Sequence, residues 1–217
     1  MKTFIRHEFP KLVQKNENGS RVYLTPTGEK YPSVTSVTGF GTKKEIMEWR
    51  DRVGHEEANR ISTRAANRGT RIHKLCEDHL LGEDVKVDMF DQEIWKQVRP
   101  VLDHIDNIHC LETRLYSHVL KVAGTVDLIA EYKGKLAIVD WKTSRRLKTI
   151  EDIEGYLMQC SAYAQCFQEL ANIEINDLVV VIGTDDQEKP SIFTEDKSKW
   201  LKKFKHKRYK YYAVNKL

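Results

Sequence analysis

The chain is predicted to adopt an α/β fold in which a mixed central sheet is flanked by helices, and three observations predict it. Helical periodicity prevails from Lys43 to about residue 108. Three strand-like segments then follow one another from Glu112 to Lys142. A helix separates these from a further apolar strand, and a last helix closes the chain.

The first forty residues read as short strands and turns. Asn16-Glu-Asn-Gly19 is a hairpin signal between Leu12-Val13 and Val22-Tyr-Leu24. Pro32–Thr38 is rich in hydroxyls and β-branched residues, and fits either a strand or the lead-in to a helix N-cap. Helices are predicted over Lys43–Arg52 and Glu56–Leu81, the second from Ile72, Leu75, Cys76 and Leu80 at helical spacing. Gly69 interrupts that pattern, for close packing or as a break between two helices, and Gly82 supplies a stop. Residues 88–108 read as another helix through Ile94, Trp95, Val98, Leu102 and Ile105, bent at Pro100.

The strands are placed at Glu112–Val119, Ala123–Tyr132 and Lys135–Lys142, the last two joined by a tight turn at Lys133-Gly134. Ile150–Ala171 reads as a helix. Asp177–Ile182 lacks alternation and reads as a strand buried on both faces, with Ser191–Thr194 as a short edge strand. No repeat, low-complexity tract or long Gly/Ser linker interrupts the sequence. It is therefore expected to form one domain over 1–217, with N-terminal strands and a helical flank in 1–110, a core in 111–195 and a basic C-terminal helix in 196–217.

Composition narrows the class. With 40% hydrophobic and 31% charged residues, the 217-residue chain fits a soluble globular protein with a real core. No apolar run approaches the ~20 residues that span a bilayer. The first eight residues carry early charge, unlike a secretory signal, and lack the Arg-rich character of a transit peptide. Cysteines at 76, 110, 160 and 166 include no Cys-x-x-Cys pair, which argues against a zinc ribbon and for a reducing compartment. The formal charge of +4 is unevenly spread: residues 197–217 hold nine of the 36 Lys and Arg and none of the 32 Asp and Glu. Trp200, Phe204, Tyr209, Tyr211 and Tyr212 interleave with those cations, a composition suited to nucleic acid. The same pattern also fits an amphipathic helix that packs Trp200, Phe204 and Tyr211 and leaves its lysines in water.

The chemistry concentrates in Gly124-Thr-Val-Asp127 and Asp140-Trp-Lys142. On a strand, Asp140 and Lys142 share a face, and the tight turn makes the strand of Asp127 their neighbour. Two carboxylates supply hard oxygen ligands for Mg²⁺ or Mn²⁺, and the lysine can polarise water or stabilise phosphate charge. Asp140 ends an apolar run, where a solvated charge is unexpected. One helix later, Gln159 and Tyr163 lie one turn apart.

These motifs resemble the PD-(D/E)xK nuclease superfamily, and within it the RecB-like branch, which pairs a Gly-x-x-Asp strand with an Asp-x-Lys strand followed by a Gln-x-x-x-Tyr helix. That branch also carries a histidine on an upstream helix, matched by Arg68-Gly-Thr-Arg-Ile-His73. Together with Pro32-Ser-Val-Thr35 and Trp49-Arg50, the likeness runs over about residues 30–165 and resembles the family of the mitochondrial genome maintenance exonuclease and similar phage exonucleases.

The resemblance implies a restriction-endonuclease-like core and a divalent metal, Mg²⁺ or Mn²⁺, held by His73, Asp127, Asp140 and the carbonyl of Trp141. Lys142 would be the catalytic lysine, and Asp127 and Asp140 would belong to the catalytic set. Glu112 would be an outer or second-metal ligand, and Gln159 and Tyr163 would orient the site or contact DNA. Ser33 and Thr35 would donate to a phosphate or cap a helix. No cysteine follows Cys166, unlike the iron–sulfur members of the branch, and no phosphate-binding loop indicates a fused helicase.

The function so implied is a metal-dependent DNA exonuclease in replication, recombination or repair. Its N-terminal helices would arch over the site and thread a single-stranded end, and it would work in the cytoplasm of a bacterium or phage-infected cell, away from membranes. The alternatives are a duplex exonuclease or flap endonuclease, and, in a different class, a non-catalytic nucleic-acid-binding module.

Overall fold

The computed structural model describes residues 2–17 and 19–215. A small antiparallel sheet opens the chain, with β1 (Val13–Glu17), β2 (Ser20–Leu24) and β3 (Lys30–Pro32) in that order. The hairpin signal lies between β1 and β2, although its Asn18 falls outside the described residues. Ser33 then caps α1 (Val34–Thr38): its Oγ accepts from Ser36 N at 2.9 Å. Of the two readings of this segment, a strand and a cap, both are realised in succession.

Three helices follow: α2 (Lys43–Val53), α3 (His55–Leu81) and α4 (Gln92–Leu102). Contrary to expectation, α3 runs unbroken through Gly69, and a Cβ there would meet nothing within 4 Å, so neither a break nor close packing accounts for this glycine. It ends at Gly82, whose left-handed φ of 77° suits a residue without Cβ. The helix over 88–108 is shorter than expected. It ends at Leu102, two residues past Pro100, and Ile105 already begins a strand.

The main sheet contains β4 (Ile105–Ser117), β5 (Val122–Tyr132), β6 (Lys135–Ser144), β7 (Asp177–Thr184) and β8 (Ser191–Asp196), in that spatial order. The boundary expected at 110/111 therefore cuts through β4. Neighbours pair antiparallel except β6 with β7. Those two are parallel because α5 (Glu154–Ala171) carries the chain back between them.

Helices cover both faces, which is why the β7 run Leu178–Ile182 is apolar without alternation. On one face, α1, α5 and α6 (Lys197–Asn215) pack on Val126, Ile138, Val180 and Ile182. On the other, Ile72, Leu75, Cys76 and Leu80 of α3 and Ile94, Val98 and Leu102 of α4 pack on Leu128, Val139, Val179 and Val181. Gly183 fixes the second contact, since a Cβ there would stand 2.7 Å from Ile94 Cγ2.

The first half of α3 stands largely exposed, and α2 buries none of its residues and leans on α3. In α6, Trp200 and Phe204 are buried and Tyr211 packs at the edge of the core, as an amphipathic helix requires, while Tyr209 is exposed. Its last predicted cation, Lys216, falls outside the described residues. Cys76, Cys110, Cys160 and Cys166 are buried free thiols that fill core space. Among the described residues no helix is long and apolar enough to cross a membrane.

Candidate metal centre

The splaying of two strands creates the site. β5 and β6 are in register from Tyr132↔Lys135 to Leu128↔Val139, and their pairing stops there. The next residues are Asp127 and Asp140. Instead of a ladder bond, the N–H of Trp141 donates to Asp127 Oδ2 at 3.2 Å, which holds that carboxylate in the gap.

Across from Asp127 on β4, Glu112 has a left-handed backbone (φ 45°). A non-glycine residue in that conformation costs of order 1–3 kcal/mol, and such residues gather at functional sites. Here it aims Glu112 at the histidine of α3. His73 Nδ1 lies 3.7 Å from Glu112 Oε1 and 3.5 Å from Asp127 Oδ2.

His73 Nε2 sits 2.8 Å from the Trp141 carbonyl. That contact assigns the ring proton to Nε2 and turns the Nδ1 lone pair toward the two carboxylates. Three acceptors, one each from His73, Glu112 and Asp127, all lie within 4.8 Å of one another. Such a set repels itself unless a cation or a proton joins it. Burial lowers the pKa of His73, but the carboxylates of Glu112 and Asp127, which favour a proton on Nδ1, outweigh it, so the net shift is upward.

Lys142 organises a second group beside the first. Its Nζ lies 2.5 Å from Asp140 Oδ2, 3.2 Å from the Trp141 carbonyl and 3.9 Å from Asp127 Oδ2. Burial alone would favour the neutral amine, yet Asp140 and Asp127 more than reverse this and keep the ammonium charged. Asp140 is itself pushed up by burial, against the pull of Lys142. Its Oδ1 accepts from Gln159 Nε2 at 3.2 Å, while its buried Oδ2 faces the Lys142 ammonium.

The residues expected to form one ligand set thus stand in two adjoining groups. His73, Asp127 and Glu112 converge, whereas Asp140 and the Trp141 carbonyl are gathered by Lys142 and, in the case of the carbonyl, by His73. The donors fit a hard divalent cation: carboxylate oxygens, one imidazole and a carbonyl, with no thiolate among them.

Gln159 reaches Asp140. Tyr163 does not hydrogen-bond to the acids: its ring lies on Gly124, where an added Cβ would come 2.6 Å from the phenol oxygen. That contact links Gly124 to Tyr163, two residues of different motifs. Ser33 is buried and its hydroxyl is engaged in the α1 cap, while Thr35 is exposed and shares a 2.9 Å hydrogen bond with it. The sequence reading missed Tyr156, whose ring centroid is 5.1 Å from Lys142 Nζ. Its spacing from Gln159 and Tyr163, three and seven residues, places it on the same helical face and was available as a signal.

Comparison with known proteins adds two findings. A family model described as the PD-(D/E)XK nuclease superfamily matches residues 88–207. Similar proteins include the mitochondrial genome maintenance exonuclease 1 of Homo sapiens, 28% identical over 130 residues (54% of this chain, 38% of the human protein). The Xenopus tropicalis protein of the same name is 27% identical over 169 residues, covering 71% of this chain and 49% of its own. The Mus musculus protein is 36% identical over 55 residues, 25% of this chain and 16% of its own. The chain spans less than half the length of these curated relatives. They are mitochondrial by name, and so lend no support to the bacterial or phage setting expected from the sequence.

Proposed function

The chain belongs to the PD-(D/E)XK nuclease superfamily, and from that premise we propose that it is a metal-dependent exonuclease that degrades DNA from single-stranded ends. The convergence of His73, Glu112 and Asp127 beside the Asp140–Lys142 pair is the observation that carries this reading. The names of the relatives, exonucleases of genome maintenance, support it. In the same reading the whole chain is one nuclease domain.

His73, Glu112 and Asp127 would hold Mg²⁺ or Mn²⁺, with Asp140 and the Trp141 carbonyl adjoining. A divalent cation bound there neutralises phosphate charge and lowers the pKa of water. The remaining work falls to the chain itself. Lys142 keeps its proton among the carboxylates, and so serves as a donor to water or to a phosphate oxygen rather than as a base at neutral pH. Gln159 fixes the Asp140 carboxylate, and the His73 Nε2 proton on the Trp141 carbonyl fixes the imidazole. Tyr156 borders the ammonium. Thr35, exposed near the start of α1, is the remaining candidate donor to a phosphate, since the Ser33 hydroxyl is taken by the cap.

End-labelled linear strands, matched duplexes and circular single strands, each with and without EDTA, test the proposal. Stepwise shortening of linear single strands that stops in EDTA, falls about 10²–10³-fold in Lys142→Ala and spares circles is the expected result. Cutting that persists in EDTA or in Lys142→Ala would refute the mechanism. Cleavage of circles would replace an exonuclease with an endonuclease. Binding without cutting in any divalent metal would leave a nucleic-acid-binding module.

A further inference from the structure

A cleft of about 690 Å³ runs beside the exposed half of α3, and its walls include Arg60, Arg64, Arg68, Arg71, Arg145 and Phe90. It is not the metal centre. At 3.6 residues per turn, Arg64 stands about 180° and Arg68 about 140° around the helix from His73. The two regions nevertheless meet at one end of β6, because Arg145 follows Lys142 by three residues. We propose that this cleft is a separate binding site for single-stranded nucleic acid, holding phosphates that flank the one under attack. The inference rests on the nuclease reading above.

Spacing is the first argument. Arg60, Arg64 and Arg68 recur once per turn, about 6 Å apart along the axis. A row at that interval, turning about 40° per step, presents one cation per turn of the helix, a track that a flexible single strand can follow.

The state of the guanidiniums is the second. Arg60 is held by Glu57 at 2.7 and 2.9 Å, and Arg68 by Asp185 at 2.6 and 2.8 Å. Asp91, itself buried, braces Arg71. Each guanidinium has five N–H groups, so these braces fix the forks and leave donors over. The Nε of Arg68 is buried without a partner. Arg64 and Arg145 make no ion pair or hydrogen bond among the described residues, and both are exposed.

An aromatic side chain is the third. Phe90 is 79% exposed at this cleft. Its ring gains little from water and offers a face on which a base can stack, the sequence-tolerant partner to a phosphate track.

The test uses the whole chain in EDTA, so that nothing is cut, and a fluorescein-labelled oligothymidylate of about 16 nucleotides. Affinity is measured by anisotropy across a potassium chloride series. Two lost phosphate contacts in Arg64→Ala/Arg145→Ala should flatten the slope of log affinity against log salt by about 1.4. Phe90→Ala should weaken binding about tenfold and leave the slope alone. With Mn²⁺ restored, both variants should cut a labelled trinucleotide at the wild-type rate, because so short a strand does not reach the cleft.

Equal salt slopes in wild type and the double variant would overturn the cleft while leaving the nuclease reading intact. So would loss of trinucleotide cutting in a double variant of unchanged melting temperature, since it would put these arginines in the reaction itself. A wild type that neither binds nor cuts DNA would remove both proposals.

Discussion

A contact that the sequence shows only as two separate motif letters turns out to join two elements. Gly124 of β5 is bare because the Tyr163 phenol occupies the place of its Cβ. Gly124→Ala should therefore cost about 1–3 kcal/mol through overpacking. Adding Tyr163→Phe, which removes the atom that would clash at 2.6 Å, should return part of that loss. Urea titrations of the four proteins form a double-mutant cycle, and strict additivity would disprove the contact. Asp127, Asp140, Lys142 and Gln159 were legible because Asp-x-Lys on a strand and Gln-x-x-x-Tyr on a helix fix side-chain direction by simple periodicity, whereas His73 was indicated only by the family resemblance. Glu112 was read as an outer or second-metal ligand. Its convergence on His73 and Asp127 depends on a backbone φ of 45°, which alternation does not reveal. The division of labour between Asp140 and Glu112 was likewise hidden, since it depends on where the Lys142 ammonium settles.

Among the elements, α3 carries the most consequence. It brings His73 to a sheet whose own strands supply the carboxylates, and it is anchored by Ile72, Leu75, Cys76 and Leu80. Ile72→Ala and Leu80→Ala should each cost about 2–5 kcal/mol in a buried position. Only Ile72, next to His73, should also loosen the site. Metal affinity measured by calorimetry should therefore fall in Ile72→Ala and hold in Leu80→Ala, and equal falls would mean that α3 acts merely as a whole. Most elements were legible because periodicity is strong where one face is buried. The start of β4 was not. Ile105 follows Leu102 at helical spacing, and a register shift between Asp106 and Cys110, with Asn107 at φ 45°, erases the alternation there. Gly69 misled for the opposite reason: the long helix tolerates a residue that costs about 1 kcal/mol against alanine.

For the molecule as a whole, the site couples stability to pH and, on the proposed reading, to a divalent cation. Burial raises the pKa of Asp140 above its ordinary value, so the unfolded chain gives up that proton first as pH rises. For His73, burial opposes the shift but Glu112 and Asp127 win, so its contribution is present at low pH and lost as pH climbs through its raised pKa. Both signs agree. The metal-free protein should lose site stability between about pH 4 and the range above 6.5, and a divalent cation should restore it. Thermal melts with Mn²⁺ and with EDTA should thus differ more at pH 8 than at pH 5.5, and Asp140→Asn should shrink that difference. An equal gain at both pH values would contradict the coupling. The overall plan, a mixed sheet between helical layers, was legible from element order. The cleft beside α3 was not, because it forms only where Arg145 and Phe90 fold against a helix far away in sequence.

The ammonium of Lys142 also bears on the order of assembly. Small zinc domains commonly cannot fold until their ion arrives, because the ligands repel one another without it. Here Asp140, Asp127 and the Trp141 carbonyl already share a positive charge carried by the chain itself. On the proposed metal-dependent reading, the polypeptide would complete its fold in a metal-poor setting and load its cation afterwards, so that folding and arming would be separate events in the life of the protein.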